Sequence, residues 1–234
     1  MIKLIEETHK YVNTDTNEEY ASVSSILSLF KKPFDKKYWA EKKAADYGTS
    51  VDEVLQQWDD LRDHSCARGK NYHKIMEDFL LTQKREDGND SLYDSLQHNM
   101  SNLGTIKEVY AERLLYDHDY KVAGTADVII DHPFNQFSVL DFKTNKKFRY
   151  VSKYGEYLLA PVDHLQSCEF NTYTLQLSLY AYMYSQISGR KLKGMAINFL
   201  DEEKQTWSNI PIHYMKYEAL LLLRSYSAKV NRIS

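Results

Sequence analysis

Two runs rich in β-branched residues, joined by a short turn, constrain this chain most. They lie in "GTADVIIDHPFNQFSVLDFKT", residues 124–144. Residues 122–130 and 137–143 read as strands, and "DHPFNQ" between them supplies Asp, Pro and Asn for the turn. A hairpin symmetric about Phe134 sets Ile129 against Val139 and Asp127 against Asp141. Side chains alternate along a strand, so Asp127, Ile129, Val139, Asp141 and Lys143 share one face. Like charges opposed across a ladder cost up to roughly 1 kcal/mol. A solvated surface hairpin tolerates that cost. A divalent cation offsets it, and hard ions such as Mg²⁺ or Mn²⁺ take carboxylate oxygens. Lys143 then stands beside a ligand, placed to orient water or stabilise phosphoryl charge.

The remaining sequence narrows the class. A length of 234 residues suits one large domain, or one with a helical insertion. A net charge of −3 gives no global basic field, which argues weakly against a DNA-binding module that works by charge alone. It does not argue against a metal enzyme with acidic ligands. Cys66 and Cys168 lie far apart, with no metal-type spacing, and point to a reducing compartment. No apolar run resembles a signal peptide or a membrane span, so a soluble cytoplasmic protein is expected.

Along the chain, "HKYVNTDTNEEYASV" reads as a hairpin, and 24–30 as a short helix ended before Pro33. Helices are expected over 35–45, from a cap at Thr49 or Ser50 through about 62, and over 67–84; 91–100 is a further helical segment. Three successive antiparallel strands follow at 106–116, 122–130 and 137–143. Residues 148–171 read as irregular and 173–187 as a helix. A hairpin of 194–200 with 206–212 and a helix over 214–230 close the chain. This order predicts an α/β core, 105–234, with a hairpin and helical region, 1–104, integrated into one domain.

Four constellations carry chemistry. In "GKNYHKIME", His73 and Glu77 share a helix face, although a histidine beside an apolar stripe is commonly packed or exposed. Glu112 alternates with Tyr110 and Leu114 on an otherwise apolar face, as an edge residue or as a carboxylate kept for a metal. In "TYTLQLSLYAYMY", Gln176 and Tyr180 share a helix face among leucines, as interior polar groups or as groups reaching a site. In "KFRYVSKYGEYLLAP", Lys147, Arg149, Tyr150, Lys153 and Tyr154 interleave cations with rings, the pattern of single-strand binding. With 19 tyrosines in the chain, ordinary core and surface tyrosine accounts for this equally well.

Taken in order, "GKNYHKIME", Glu112, "GTAD", "LDFKT" and "LQLSLYAY" resemble the PD-(D/E)XK nuclease superfamily, in its RecB-like exonuclease branch. "SVSSIL" and "APVDHLQSCEFNTYTLQLSLY" look like phage-encoded members and like the mitochondrial genome maintenance exonuclease, so the resemblance covers most of the chain. It implies a restriction-endonuclease-like core, a mixed central β-sheet flanked by helices. It implies Mg²⁺ or Mn²⁺ held by His73, Asp127, Asp141 and the Phe142 carbonyl, with Lys143 as catalytic lysine. Gln176 and Tyr180 match the family's Gln-x-x-x-Tyr motif, which supports the site and contacts substrate. Glu112 and Glu77 match acids of less defined role. Ala126 stands where the superfamily name has proline, and Lys70 where relatives have a smaller residue. Two cysteines cannot hold the iron–sulfur cluster of some relatives. The implied activity is metal-dependent hydrolysis of DNA from ends, with single strands as substrate, in recombination, repair or phage DNA processing. A single-strand-annealing or recombination protein is the implied partner. An endonuclease of the same fold and a non-catalytic DNA-binding subunit are the alternatives.

Overall fold

The computed structural model describes residues 1–8 and 10–230. Its elements run β1 (Ile2–Ile5), β2 (Lys10–Asn13), β3 (Glu18–Ser22), α1 (Val23–Ser28), α2 (Lys36–Tyr47), α3 (Val51–Thr82) and α4 (Asp90–Ser101). Then come β4 (Glu108–Asp117), β5 (Val122–His132), β6 (Gln136–Lys143), α5 (Glu169–Ser188), β7 (Lys191–Asp201), β8 (Thr206–Ile212) and α6 (Lys216–Val230). The strands form one mixed eight-stranded sheet in the order β1-β2-β3-β5-β6-β7-β8, with β4 added on β5.

Alternation sorts each central strand between two faces. Ile129, Val139 and Ile197 point into a core shared with Leu175, Leu179 and Leu222 of α5 and α6. Val128, Ile130, Leu140 and Phe142 point the other way, onto Met76, Phe79 and Leu96 of α3 and α4. The result is a mixed α/β sheet flanked by helices on both faces. The hairpin of β5 and β6 has the expected register, with Ile129 opposite Val139. Its turn places Phe134 and Asn135 at φ 59° and 57°, which reverses the chain in three residues between His132 and Gln136.

Several expectations change. The helices expected through 62 and from 67 are one helix, α3, of 32 residues. Asp63, His64, Ser65 and Cys66 are only modest helix formers, but no Gly or Pro interrupts them. A capping box of Ser50 and Glu53 also starts the helix firmly. β1 was not expected; four residues pair with β2 and turn the N-terminal hairpin into three strands. α5 begins at Glu169, one turn before 173, so the irregular stretch ends sooner. Elements on both sides of residue 104 share the sheet. β3 pairs in parallel with β5, and Asn99 of α4 donates to Asn198 Oδ1 and the Trp207 carbonyl, both at 2.9 Å.

Candidate active site

The sheet forks at β5. One edge of β5 pairs with β4 along its length. On the opposite edge, residues 122–123 pair with β3 and 128–132 with β6. Residues 124–127 between them meet no strand on that edge, so the backbone opens there. The hairpin ladder stops at Val128 opposite Leu140, one step before the two aspartates would face. Instead the Phe142 N–H donates to Asp127 Oδ2 at 2.8 Å. Nearby, Tyr11 OH and Thr125 Oγ1 lie 3.1 Å apart.

The fork is also where helices from opposite faces reach one another. α3 is fixed by Met76, Phe79 and Leu80, buried one turn beyond His73. His73 Nε2–H donates to the Phe142 carbonyl at 3.1 Å, which turns Nδ1 toward Asp127 Oδ2, 3.5 Å away. That carbonyl, expected as a metal ligand, thus accepts from His73 here. Glu112 lies between the pairs Ala111–Val128 and Arg113–Ala126, level with Asp127. Its φ of 45° is left-handed, a conformation that costs a non-glycine residue about 1–3 kcal/mol and aims its carboxyl into the site. One ligand atom each from His73, Glu112 and Asp127 lies within 4.8 Å of the others. An imidazole nitrogen with two carboxylates suits a hard divalent ion such as Mg²⁺ or Mn²⁺. Such an ion sets ligand atoms at most about 4.2 Å apart, so a small contraction completes the set. Partial burial, followed by the charges of Asp127, Glu77 and Asp141, pushes the Glu112 carboxyl up to about 8.

Asp141 stays outside that trio. It is almost wholly buried and forms an ion pair with Lys143. Burial and the charge of Asp127 raise its carboxyl above the usual range, against the pull of Lys143. Burial alone would lower the Lys143 ammonium, but Asp141 and Asp127 more than compensate and hold it above its ordinary value. Lys143 Nζ also lies 4.7 Å over the Tyr173 ring. Behind this pair, Arg68 donates to the Thr144 carbonyl at 2.6 Å and pairs with Glu202 at 2.5 Å. Gly69 allows the approach, since a Cβ there would stand 3.2 Å from Thr144 Oγ1.

From α5, Gln176 Nε2 donates to Tyr180 OH at 3.2 Å, and both line the opening. Burial raises the Tyr180 phenol far above its ordinary value and keeps it protonated. Gly124 makes room for that ring; a Cβ would meet Tyr180 Cε1 at 2.7 Å.

A cleft of about 950 Å³ opens here, and Asp141, Lys143 and Arg68 do not line it. His73, Glu77, Glu112, Asp127, Gln176 and Tyr180 all reach it. None of Lys147, Arg149, Tyr150, Lys153 and Tyr154 does; Arg149, Lys153 and Tyr154 line a separate recess with Tyr173. Sequence reasoning missed Lys3 and Tyr11 of the N-terminal strands, Glu6 of the turn between them, and Lys70 and Lys74 of α3, which also line the cleft. It missed Arg68 as well. Lys70 and Lys74 lie in the quoted motif and Arg68 immediately precedes it; Lys70 is three residues before His73 and four before Lys74, a helical spacing that would have found Lys70. Nothing local marks the N-terminal residues, which arrive by strand pairing. Among the described residues, no helix is long and apolar enough to cross a membrane.

No family model matches the chain, and no curated protein does. Among solved structures, the chain is similar to a protein from Eubacterium rectale that carries the name "Putative exonuclease". The identity is 13% and the TM-score 0.41, with 100% of this chain and 86% of that one covered. It is also similar to a protein named SSO0001, at 14% identity and TM-score 0.36, over 89% of this chain and 75% of that one.

Proposed function

We propose that this chain is a divalent-metal-dependent deoxyribonuclease, an exonuclease that hydrolyses phosphodiester bonds from the ends of linear, preferably single-stranded, DNA. The carrying observation is the convergence of His73, Glu112 and Asp127 within 4.8 Å at the sheet fork, with the ion pair of Asp141 and Lys143 on the adjoining strand. Mg²⁺ or Mn²⁺ held by the three residues would supply Lewis acidity and a water of lowered pKa.

The chain's own groups account for the rest. Lys143, kept cationic by Asp141, neutralises charge developing on the phosphoryl oxygens. Tyr180 OH and the Gln176 amide present donors to the phosphate from the α5 side. Lys3, Lys70 and Lys74 offset the acids of the cleft and draw the strand toward them. In the reaction, a water oxygen bonds to phosphorus as the bond to the leaving sugar oxygen breaks. The water's proton goes to solvent, the leaving sugar oxygen takes a proton from solvent, and no covalent enzyme intermediate forms.

The test offers end-labelled linear single strands, linear duplex and covalently closed single-stranded circles, with Mg²⁺, Mn²⁺ or EDTA. The expected result is metal-dependent loss of linear DNA with circles spared. Asp127→Ala and Lys143→Ala should each fall by at least about 10²-fold, the usual effect of removing one transition-state charge contact. Cleaved circles would make the protein an endonuclease. Binding without cleavage of any substrate would make it a non-catalytic DNA-binding subunit.

A further inference from the structure

A further recess, of about 680 Å³, lies outside the cleft and shares Lys153, Tyr154 and Glu156 with the one that holds Arg149 and Tyr173. Its walls are α2, the start of α3, the segment joining α1 to α2, and the loop around Tyr154. Phe34, Trp39, Trp58 and Tyr154 supply aromatic faces. Phe34 and Tyr154 are 66% and 71% exposed, far more than burial of an aromatic ring requires. Lysines stand over several of these rings: Lys42 at 5.2 Å from Trp39, Lys43 at 5.8 Å from Trp58, and Lys153 at 4.7 Å from Tyr154. On the same helix Lys36 and Lys37 pair with Asp59 and Glu41. Among the described residues Lys32, Lys42, Lys43 and Lys153 form no such ion pair. Asp35, Asp46 and Glu156 also line the recess, but Asp35 is turned back to cap α2, accepting from the Tyr38 N–H at 2.9 Å. Net charge alone therefore selects little. The selecting feature is the exposed rings of Phe34, Trp39 and Tyr154, with partly buried Trp58, interleaved with cations, which is the physics of single-strand binding.

The recess joins a neighbouring one that ends beneath Lys143. Lys153, Tyr154 and Glu156 also line the recess that contains Arg149 and Tyr173. Tyr173 lies beneath Lys143. In addition, α3 carries both Trp58 and His73, about 22 Å apart at the helical rise, so one rigid element spans both places.

We propose that this aromatic and basic trough holds the single-stranded part of the substrate that trails from the candidate active site, by stacking bases on Trp39, Trp58 and Tyr154. This rests on the nuclease reading for the identity of the ligand, but the binding does not need a metal or any hydrolysis.

The test uses tryptophan fluorescence in EDTA. Of the three tryptophans, Trp207 is buried, so quenching reports Trp39 and Trp58. A twenty-residue oligothymidylate should quench the wild type, and a duplex of equal length should quench it much less. Trp39→Ala should weaken binding about tenfold, from the loss of one stacked base. Lys43→Ala should flatten the salt dependence by about 0.7 in log–log slope. In Mn²⁺, Trp39→Ala should raise KM for the twenty-residue strand and leave kcat, and turnover of a four-residue strand, unchanged. Failure of oligothymidylate to quench tryptophans that acrylamide does quench would overturn the trough. So would an equal response to duplex, or quenching by a proline-rich peptide alone. If nothing is hydrolysed in Mn²⁺ but oligothymidylate still quenches, the nuclease reading fails and the trough stands.

Discussion

Glu112 concentrates the chemistry of the site in one residue. It holds a left-handed backbone and a carboxyl pushed up to about 8 by partial burial and by its acidic neighbours. A carboxyl raised in the folded state retains a proton that the unfolded chain has lost. Its contribution to the stability of the metal-free protein should therefore be fully present below the unfolded value of about 4.5 and be lost as pH rises toward about 8. Thermal melts in EDTA between those limits check this, and Glu112→Gln should flatten the slope. Mn²⁺ competes with the same proton, so its affinity should rise over the same interval. Gly124 makes a second, purely steric case. In Gly124→Ala the new methyl collides with Tyr180 Cε1 and crowds Val23, neither of which has room to withdraw. A loss of about 1–3 kcal/mol in denaturant unfolding is expected, with activity falling further than stability because Tyr180 is displaced from the cleft. The sequence exposed Asp127, Asp141, Lys143 and His73 as candidates. It did not reveal that His73 donates to the Phe142 carbonyl, that Asp141 pairs with Lys143, or that Glu112 approaches Asp127. Those facts depend on where a ladder stops.

At the scale of elements, α3 does the positioning. Its 32 residues carry Trp58, Arg68, His73 and the apolar stripe that clamps it to the sheet. Arg68 ties the helix to the end of β6 through the Thr144 carbonyl, next to Lys143. Arg68→Met keeps much of the bulk and loses both polar contacts. It should cost about 1–3 kcal/mol in denaturant unfolding and lower kcat with KM little changed. A wild-type kcat in that variant would show that the strand end is held by other means. α2 is different, since it packs on α3 through a small separate core of Ala40, Ala44 and Val54.

For the whole molecule, the proposed metal binding at the fork would be coupled to stability. The residues of the trio come from α3, β4 and β5, and only the folded sheet brings them together. Mn²⁺ at about 100 times its dissociation constant should stabilise the protein by about 2.7 kcal/mol, raising Tm by about 5 °C for a chain of this size. Thermal melts with and without EDTA measure it, and Asp127→Ala should abolish most of the shift. A shift unchanged in that variant would place the ion elsewhere.

The sequence by itself determined the hairpin of β5 and β6, its register, the antiparallel run from β4 to β6, α5, and both edges of the closing β7–β8 hairpin to within a few residues. These rest on local alternation, turn chemistry and helical periodicity, which act over a few residues and can be read in order. Tertiary structure alone decided the rest. It joined two expected helices into α3, recruited β1 to β3 into the main sheet, and divided the acids between a candidate ligand trio and an ion pair. Those outcomes turn on which edge of β5 each strand occupies and on the gap left between them. That is a competition among distant segments for the same backbone groups, and no local pattern records who wins it.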